Sequence, residues 1–391
     1  MNRTDFYFEL PAHLIAQAPS KIRGEDRLLV MNKNDGSFKD ELFSSLPCLL
    51  PKNALLVFNN SKVRHARVYA TQISRSEENE GRNNKKSIDK NVQNQNNQSA
   101  TSLFPTKENK NDCGCNLEMG DKREGAIEFL FIKTIDEGKR WKVLSPKMKR
   151  LKAGDRFLFA NDFVATLIQD ANTAEKVLCF DAPLTEVFFE ELGHVPLPPY
   201  IKREDKKEDA SRYQTIYASS IGSIAAPTAG LHFTDNILHE LRERGIELCY
   251  LTLHVGLGTF LPVREDKIED HKMHTEEFFI SEDVAKTITK AKNDGRPIIA
   301  CGTTSVRTLE AAWDDKNKCL KAGKTATNIF IYPPYHFKVV DGIVTNFHTP
   351  ESTLLMLVSA FCGRQEILKA YRHAVEEEYK FFSYGDAMLI L

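Results

Sequence analysis

The chain has 391 residues, 41% hydrophobic and 27% charged, enough for two domains with buried cores. Its 53 basic and 54 acidic residues leave a formal net charge of -1, which excludes a polycation that grips nucleic acid with its whole surface; such a partner needs a local basic patch. Eight scattered cysteines, a start without a signal-type apolar core and no apolar run of about 18 residues predict a soluble protein of the reducing cytosol, free of membrane contact.

Residues 1 to 64 read as the first part of an α/β unit. From about 65 to 181 the short strand patterns "RHARVYATQI", "GAIEFLFIK", "RWKVLSPK", "DRFLFAN", "FVATLIQ" and "KVLCF" predict a small β-barrel or sandwich. Within it, residues 75 to 124 are dominated by Asn, Gln, Ser, Lys and Glu, too polar to offset their ordering entropy, and read as a disordered insertion. Cys113 and Cys115 lie there as a lone C-x-C; without a second pair at ligand spacing, solvated thiols are favoured over a metal site.

After residue 182 helices and strands alternate. "TDNILHELRERG" has Thr234 as cap, Ile237, Leu238 and Leu241 on one face and Gly245 as its stop, and "IELCYLTLHV" follows as a buried strand. "RPIIACGTTSVRTLEAAW" is a strand ending at Gly302 and a helix opening at the threonines. "TPESTLLMLVSAFCG" predicts a helix capped by Thr349, with Pro350 at its first position and Gly363 at its end. The fold class is therefore α/β: a larger discontinuous domain, 1 to 64 and 182 to 391, with a mixed sheet or barrel flanked by helices, and an inserted small β-barrel domain over 65 to 181.

Four segments carry candidate chemistry. In "LTLHVGLGTFLPV" the pair Gly256 and Gly258 fails as a dinucleotide fingerprint, because Leu261 and Pro262 follow in place of a third glycine and a helix. What remains is His254 at a strand end beside a turn that admits close backbone approach, with a hydrogen-bonded core histidine as the equal alternative. "IEDHKMHTEEF" sets His271 and His274 on one face if it is a helical turn, with Glu276 nearby; acid and base work suits them, and no metal is predicted, since no H-E-x-x-H spacing or cysteine pair is present. "ACGTTSVRTLE" turns a strand into a helix whose first turn, at Thr303 and Thr304, attracts an anion such as a phosphate or an amino-acid carboxylate, with Arg307 as a clamp; capping for stability is the plainer alternative. "AAPTAGLHFT" is a loop poor in charge, expected to deliver His232 to a pocket shared with "HVGLG" and "CGTTS" unless the histidine is structural. Two basic stretches, "NNSKVRHAR" with Lys62, Arg64 and Arg67 and "SPKMKRLKAG" with Lys147, Lys149 and Arg150, are candidates for one RNA-binding patch or for ordinary surface charge.

Taken with "FELPAHLIAQAP", "DRLLV", "LLVFNNSKV", "RYQTIYA", "IEDHKMHTE" and "IFIYPPYHFKVVDGIVTNFHTPESTLLMLVSAF", these segments resemble the S-adenosylmethionine:tRNA ribosyltransferase-isomerase family of queuosine biosynthesis. The likeness runs from residue 5 to the C-terminus, leaving 75 to 124 uncovered. Asn60 stands where that family usually has aspartate, and Pro334 where it has glycine. The resemblance implies transfer and isomerisation of the ribosyl part of S-adenosylmethionine onto 7-aminomethyl-7-deazaguanine at the tRNA wobble position, giving epoxyqueuosine, adenine and methionine. S-Adenosylmethionine is then a consumed substrate and no cofactor is expected; the partners are that tRNA and S-adenosylmethionine, in a cytoplasmic monomer.

Such a reaction needs a base for the C5′ proton beside the sulfonium and an acid for the departing adenine. His232, His254, His271 and His274 are the candidates, since imidazole titrates near neutral pH. Thr228, Gly230, Gly256, Gly258 and Glu276 are further candidates for substrate binding. Thr303, Thr304 and Arg307 are expected at the methionine carboxylate, Tyr332, Tyr335, Phe347 and Phe260 as stacking surfaces, and Asn346 and Ser352 at base edges. A non-catalytic tRNA-binding module and a tRNA methyltransferase are the rival readings; no glycine-rich strand-to-helix turn of the dinucleotide type supports the latter.

Overall fold

The computed structural model describes residues 1–73, 125–169, 176–256 and 263–391. The sequence reading of 75 to 124, with Cys113 and Cys115, lies outside them, as do Gly258 and Phe260.

Runs of apolar residues with no polar alternation, such as Leu55–Asn59, Ile298–Cys301, Gly342–Asn346 and Ala387–Ile390, are buried along their whole length, which requires cover on both faces of a sheet. They lie in a nine-stranded mixed sheet. Its strands are β1 (Arg27–Met31), β2 (Phe38–Leu42), β3 (Leu55–Asn59), β4 (Glu247–Leu253), β5 (Glu276–Ile280), β6 (Ile298–Cys301), β7 (Gly323–Thr327), β8 (Gly342–Asn346) and β9 (Ala387–Ile390), in the order β7-β5-β4-β3-β6-β8-β9-β1-β2. β4, β3, β6 and β8 run parallel to one another, while β9 is antiparallel to β8 and parallel to β1. The edge strand β2, "FKDEL", is half-exposed and charged, which discourages pairing with another chain.

Alternation along β3 divides the core. Leu55 and Val57 face the larger apolar cluster, with Val306 and Leu309 of the helix Thr303–Ala312 and the helices Thr353–Cys362 and Arg364–Glu376. Leu56 and Phe58 face the other, with Ile237, Leu238 and Leu241 of the helix Asp235–Glu243. Thr234 caps that helix, its hydroxyl accepting from the Ile237 N–H at 3.2 Å, and Gly245 follows its end at φ +78°.

The chain parts into two units, Met1–His65 with Val195–Leu391, and Ala66–His194. The second contains a closed barrel of Lys176–Phe180, Arg140–Leu144, Ile127–Asp136, Arg67–Ile73, Arg156–Leu158 and Val164–Gln169, the six strand patterns read from sequence; the sandwich alternative falls away. The unit continues past residue 181 through the helix Glu186–Leu192, because Phe188 and Phe189 belong to the barrel's aromatic core, 5.9 and 5.3 Å from the Phe131 ring.

Candidate active site

β3, β4, β6 and β8 bring their carboxyl ends to one edge of the sheet, where ligands of parallel sheets are held. A cavity of about 220 Å³ opens there, walled by Ala225–Ala229, Val255, Val263, Gly302–Thr304, Thr345–Ser352, Phe382 and Ser383.

Its floor is fixed by Gly302, whose φ of +85° lets β6 turn abruptly into the helix Thr303–Ala312; the left-handed region costs a side chain more than glycine. That turn sets Thr303 and Thr304 on the wall, at a helix end whose first N–H groups have no acceptor within the helix. Asn59, buried at the end of β3, ties three elements together. Its Oδ1 accepts from the Leu253 and Ser61 N–H groups, and its Nδ2 donates to the Leu253 carbonyl and, at 3.2 Å, to the Thr304 hydroxyl.

On the opposite wall the sequence reading of the helix start is corrected. Glu351 has φ +59° and cannot be helical, so the helix begins at Thr353 with Ser352 as its cap, the Ser352 hydroxyl accepting from the Leu355 N–H at 3.1 Å. Thr349 and Pro350 precede it as part of the cavity wall. Glu351 pairs with Arg3 at 2.5 Å. His348, also on the wall, meets the Thr345 hydroxyl at 3.0 Å, and burial pushes its imidazole down to about 3, so it is neutral.

His232 sits behind this wall, not on it. It lies in the 3-10 turn Thr228–His232, its Nδ1 2.6 Å from Asp26 Oδ2 and its Nε2 3.2 Å from the Asn346 amide nitrogen. Burial pushes the Asp26 carboxyl up, but hydrogen bonds with His232 and Ser20 and the charges of His232 and Arg212 together hold the group below the usual carboxylate range. A smaller cavity lined by Arg23, Asp26, Arg212 and His232 adjoins it, with Ser383 common to both walls. Gly230 belongs to the same turn for steric reasons: a Cβ there would fall on the Tyr217 hydroxyl and lie 2.7 Å from Thr215 Cγ2.

The other histidines do not gather. His254, at the end of β4, is not on the cavity wall; burial and the Arg64 charge lower its pKa, and its ring lies against Gly222. His271 and His274 are not on a helical turn: the 3-10 turn stops at Asp270, His271 has extended backbone, and no helix follows before β5, so their spacing of three gives no shared helical face. His271 meets Glu265 at 3.2 Å and His274 is exposed. Among the described residues no group of three His, Cys, Asp or Glu is placed to hold a metal ion.

Of the residues expected at the substrate, Thr228, Thr303, Thr304, Asn346, Phe347 and Ser352 line the cavity; Gly230, Gly256, Glu276, Arg307, Tyr332 and Tyr335 do not. Arg307 is turned instead to Glu276 in a buried ion pair whose carboxylate also accepts from the Gly256 N–H at 3.2 Å. Tyr332 packs on Phe330 with ring centres 4.7 Å apart, and Tyr335 donates to Glu310 at 3.2 Å. Phe347 is fully buried among Tyr371, Tyr379 and Phe381.

Of the basic residues, Lys147, Lys149 and Arg150 are exposed on and beside the short turn Met148–Arg150 of the barrel unit, where Arg67 pairs with Glu128 at 3.4 Å. Lys62 and Arg64 belong to the other unit, in and after the strand Ser61–Val63. No helix among the described residues is long and apolar enough to cross a membrane. Sequence reasoning passed over Asp26, Asn59 and His348; only the carboxylate just before "RLLV" offered any signal.

The description "Queuosine biosynthesis protein" matches residues 3–390. A Treponema denticola protein named S-adenosylmethionine:tRNA ribosyltransferase-isomerase is 52% identical over 392 residues, 99% of each chain. One of the same name from Thermoanaerobacter is 41% identical over the full length of both. A crystal structure of S-adenosylmethionine tRNA ribosyltransferase from Thermotoga maritima is 29% identical, covering 99% of this chain and 100% of that one, with a TM-score of 0.49. The match over residues 3–390 and the 52% and 41% identities along whole chains mean that the chain belongs to the queuosine biosynthesis protein family.

Proposed function

We propose that the chain is an S-adenosylmethionine:tRNA ribosyltransferase-isomerase, transferring and isomerising the ribosyl part of S-adenosylmethionine onto the aminomethyl group of 7-aminomethyl-7-deazaguanine at the tRNA wobble position. Epoxyqueuosine, adenine and methionine are the products. The reading is carried by 52% identity along essentially the whole of a relative of that name.

The cavity at the strand ends supports it as the seat of S-adenosylmethionine. Thr303 and Thr304 offer the positive end of a helix to the methionine carboxylate, and Ala225, Ala226, Val255 and Phe382 supply apolar wall. The exposed Lys147, Lys149 and Arg150 suit tRNA phosphates. S-Adenosylmethionine is consumed and no resident cofactor takes part; the protein works as a cytoplasmic monomer.

Purified protein, S-adenosylmethionine and tRNA bearing the 7-aminomethyl-7-deazaguanine base are incubated together, and the small molecules and digested RNA are read by mass spectrometry. Free adenine with a wobble nucleoside heavier by an epoxycyclopentanediol unit is the expected result. S-Adenosylhomocysteine in place of adenine would turn the reading to methyl transfer, and bound tRNA with no product to a binding module.

A further inference from the structure

The proposed reaction brings a cation into the cavity, and the imidazole on its wall is not one of those expected from the sequence. His232 stands behind the wall, and His254, His271 and His274 are not on it; among the described residues His348 is the histidine that lines the cavity. Two of its polar groups are engaged. Nε2 lies 3.0 Å from the Thr345 hydroxyl, and the backbone N–H donates to the Tyr371 hydroxyl at 3.1 Å. Nδ1 has no hydrogen-bond partner among the described residues, and it is not sealed off: His348 is 8% exposed, and the imidazole nitrogen that is both unpartnered and closed to solvent is Nδ1 of His254. Burial in the wall keeps the ring neutral, so it carries no charge to repel a cation.

The strand register points to the part of the ligand that meets it. Cys301 pairs with Val344, and the Gly302 N–H donates to the Val344 carbonyl at 2.7 Å. The helix start at Thr303 and the end of β8, just before His348, therefore leave the sheet side by side. In S-adenosylmethionine the carboxylate proposed for that helix start shares one carbon with the α-ammonium, so the partners of the two groups must be neighbours. The ammonium only donates, and the Thr345 hydroxyl can accept from an Nε2–H as readily as it can donate; the ammonium therefore selects the imidazole form with its lone pair on Nδ1. We infer that His348 is a specificity determinant whose Nδ1 accepts a hydrogen bond from the α-ammonium of S-adenosylmethionine, with Thr345 as the positioning residue that holds the ring through Nε2.

The inference rests on S-adenosylmethionine being the substrate. Its test is a calorimetric titration of the full chain with S-adenosylmethionine and with the analogue in which hydrogen replaces the α-amino group. The wild type is expected to bind the analogue about tenfold or more weakly. His348→Gln keeps an amide at the reach of Nε2 for Thr345 and nothing at Nδ1, and is expected to shrink that gap to about twofold. His348→Asn keeps an acceptor at the reach of Nδ1 and gives up the Thr345 contact, and is expected to hold the gap at about fivefold. A merely structural histidine would leave the gap the same in both variants. A readout that needs no substitution is the NMR spectrum of the wild type with isotope-labelled histidines, in which S-adenosylmethionine, and not the analogue, is expected to move the Nδ1 resonance of His348. Equal binding of the two ligands by the wild type, a gap that survives His348→Gln, or an Nδ1 resonance that responds to both ligands alike overturns this inference alone. No saturable binding of S-adenosylmethionine by the wild type overturns the proposed function with it.

Discussion

Arg307 and Glu276 face each other as a fully enclosed ion pair, each side chain 4% exposed, and the Nε and Nη2 atoms of the guanidinium have no hydrogen-bond partner among the described residues. Arg307 was expected on sequence grounds to clamp a ligand carboxylate; its charge is instead balanced within the protein.

Breaking that pair from one side is costly because the remaining charge stays buried. Glu276→Ala is expected to destabilise by about 3–5 kcal/mol, whereas the double replacement Glu276→Leu with Arg307→Met is expected to recover most of the loss. Urea midpoints of the two variants decide it. Equal loss in both would mean that packing, not uncompensated charge, sets the cost.

His348 makes stability depend on pH. Its folded pKa, about 3, lies below the ordinary 6.5, so on acidification the unfolded chain takes up the proton first. The stability it supports is therefore whole above about pH 6.5 and declines as pH falls toward about 3, with a slope of up to about 1.4 kcal/mol per pH unit. His348→Gln is expected to flatten the wild-type slope by one proton between pH 6 and pH 4. Identical slopes in a urea series across that interval would refute the assignment.

Gly230 fits where it does because Tyr217 lies over it. Gly230→Ala is expected to cost about 1–3 kcal/mol through overpacking. Adding Tyr217→Phe removes the nearest atom and is expected to return part of the loss, with Thr215 Cγ2 keeping the rest. The thermal midpoints of the single and double variants measure that coupling.

The start of the helix Thr353–Cys362 is tested by two alanines. Ser352→Ala removes the capping oxygen and is expected to lower stability by about 1 kcal/mol. Thr349→Ala, at the position first read as the cap, is expected to stay within about 0.5 kcal/mol of wild type. The reverse ranking would restore the earlier boundary.

What the sequence made legible follows from how local each signal is. The barrel strands alternate over a few residues, and the cap at Thr234 and the stop at Gly245 are contained in a single helix, so pattern alone finds them. The threonine turn after β6 was legible for the same reason. The Asp26–His232–Asn346 line was not, because its members come from three elements whose adjacency exists only once the sheet is assembled. Thr349 misled because a threonine before proline and an apolar run is the ordinary cap pattern, and only the left-handed backbone of Glu351 moves the start to Ser352. His271 and His274 misled because spacing by three implies a shared face only within a helix, and their segment forms none.

The position of β9 also sets a timetable. β9 fills the gap between β1 and β8, and Asp386, just before it, accepts the Arg27 N–H at 2.8 Å. On a ribosome that emits residues in order, β1 (Arg27–Met31) waits for its neighbour until Ala387–Ile390 has been made. Until then the principal sheet carries an open seam, with two strands offering unpaired backbone to any other nascent chain, and the cavity lacks Phe382 and Ser383 from its wall. A chain released before β9 therefore has neither a closed sheet nor a complete cavity wall.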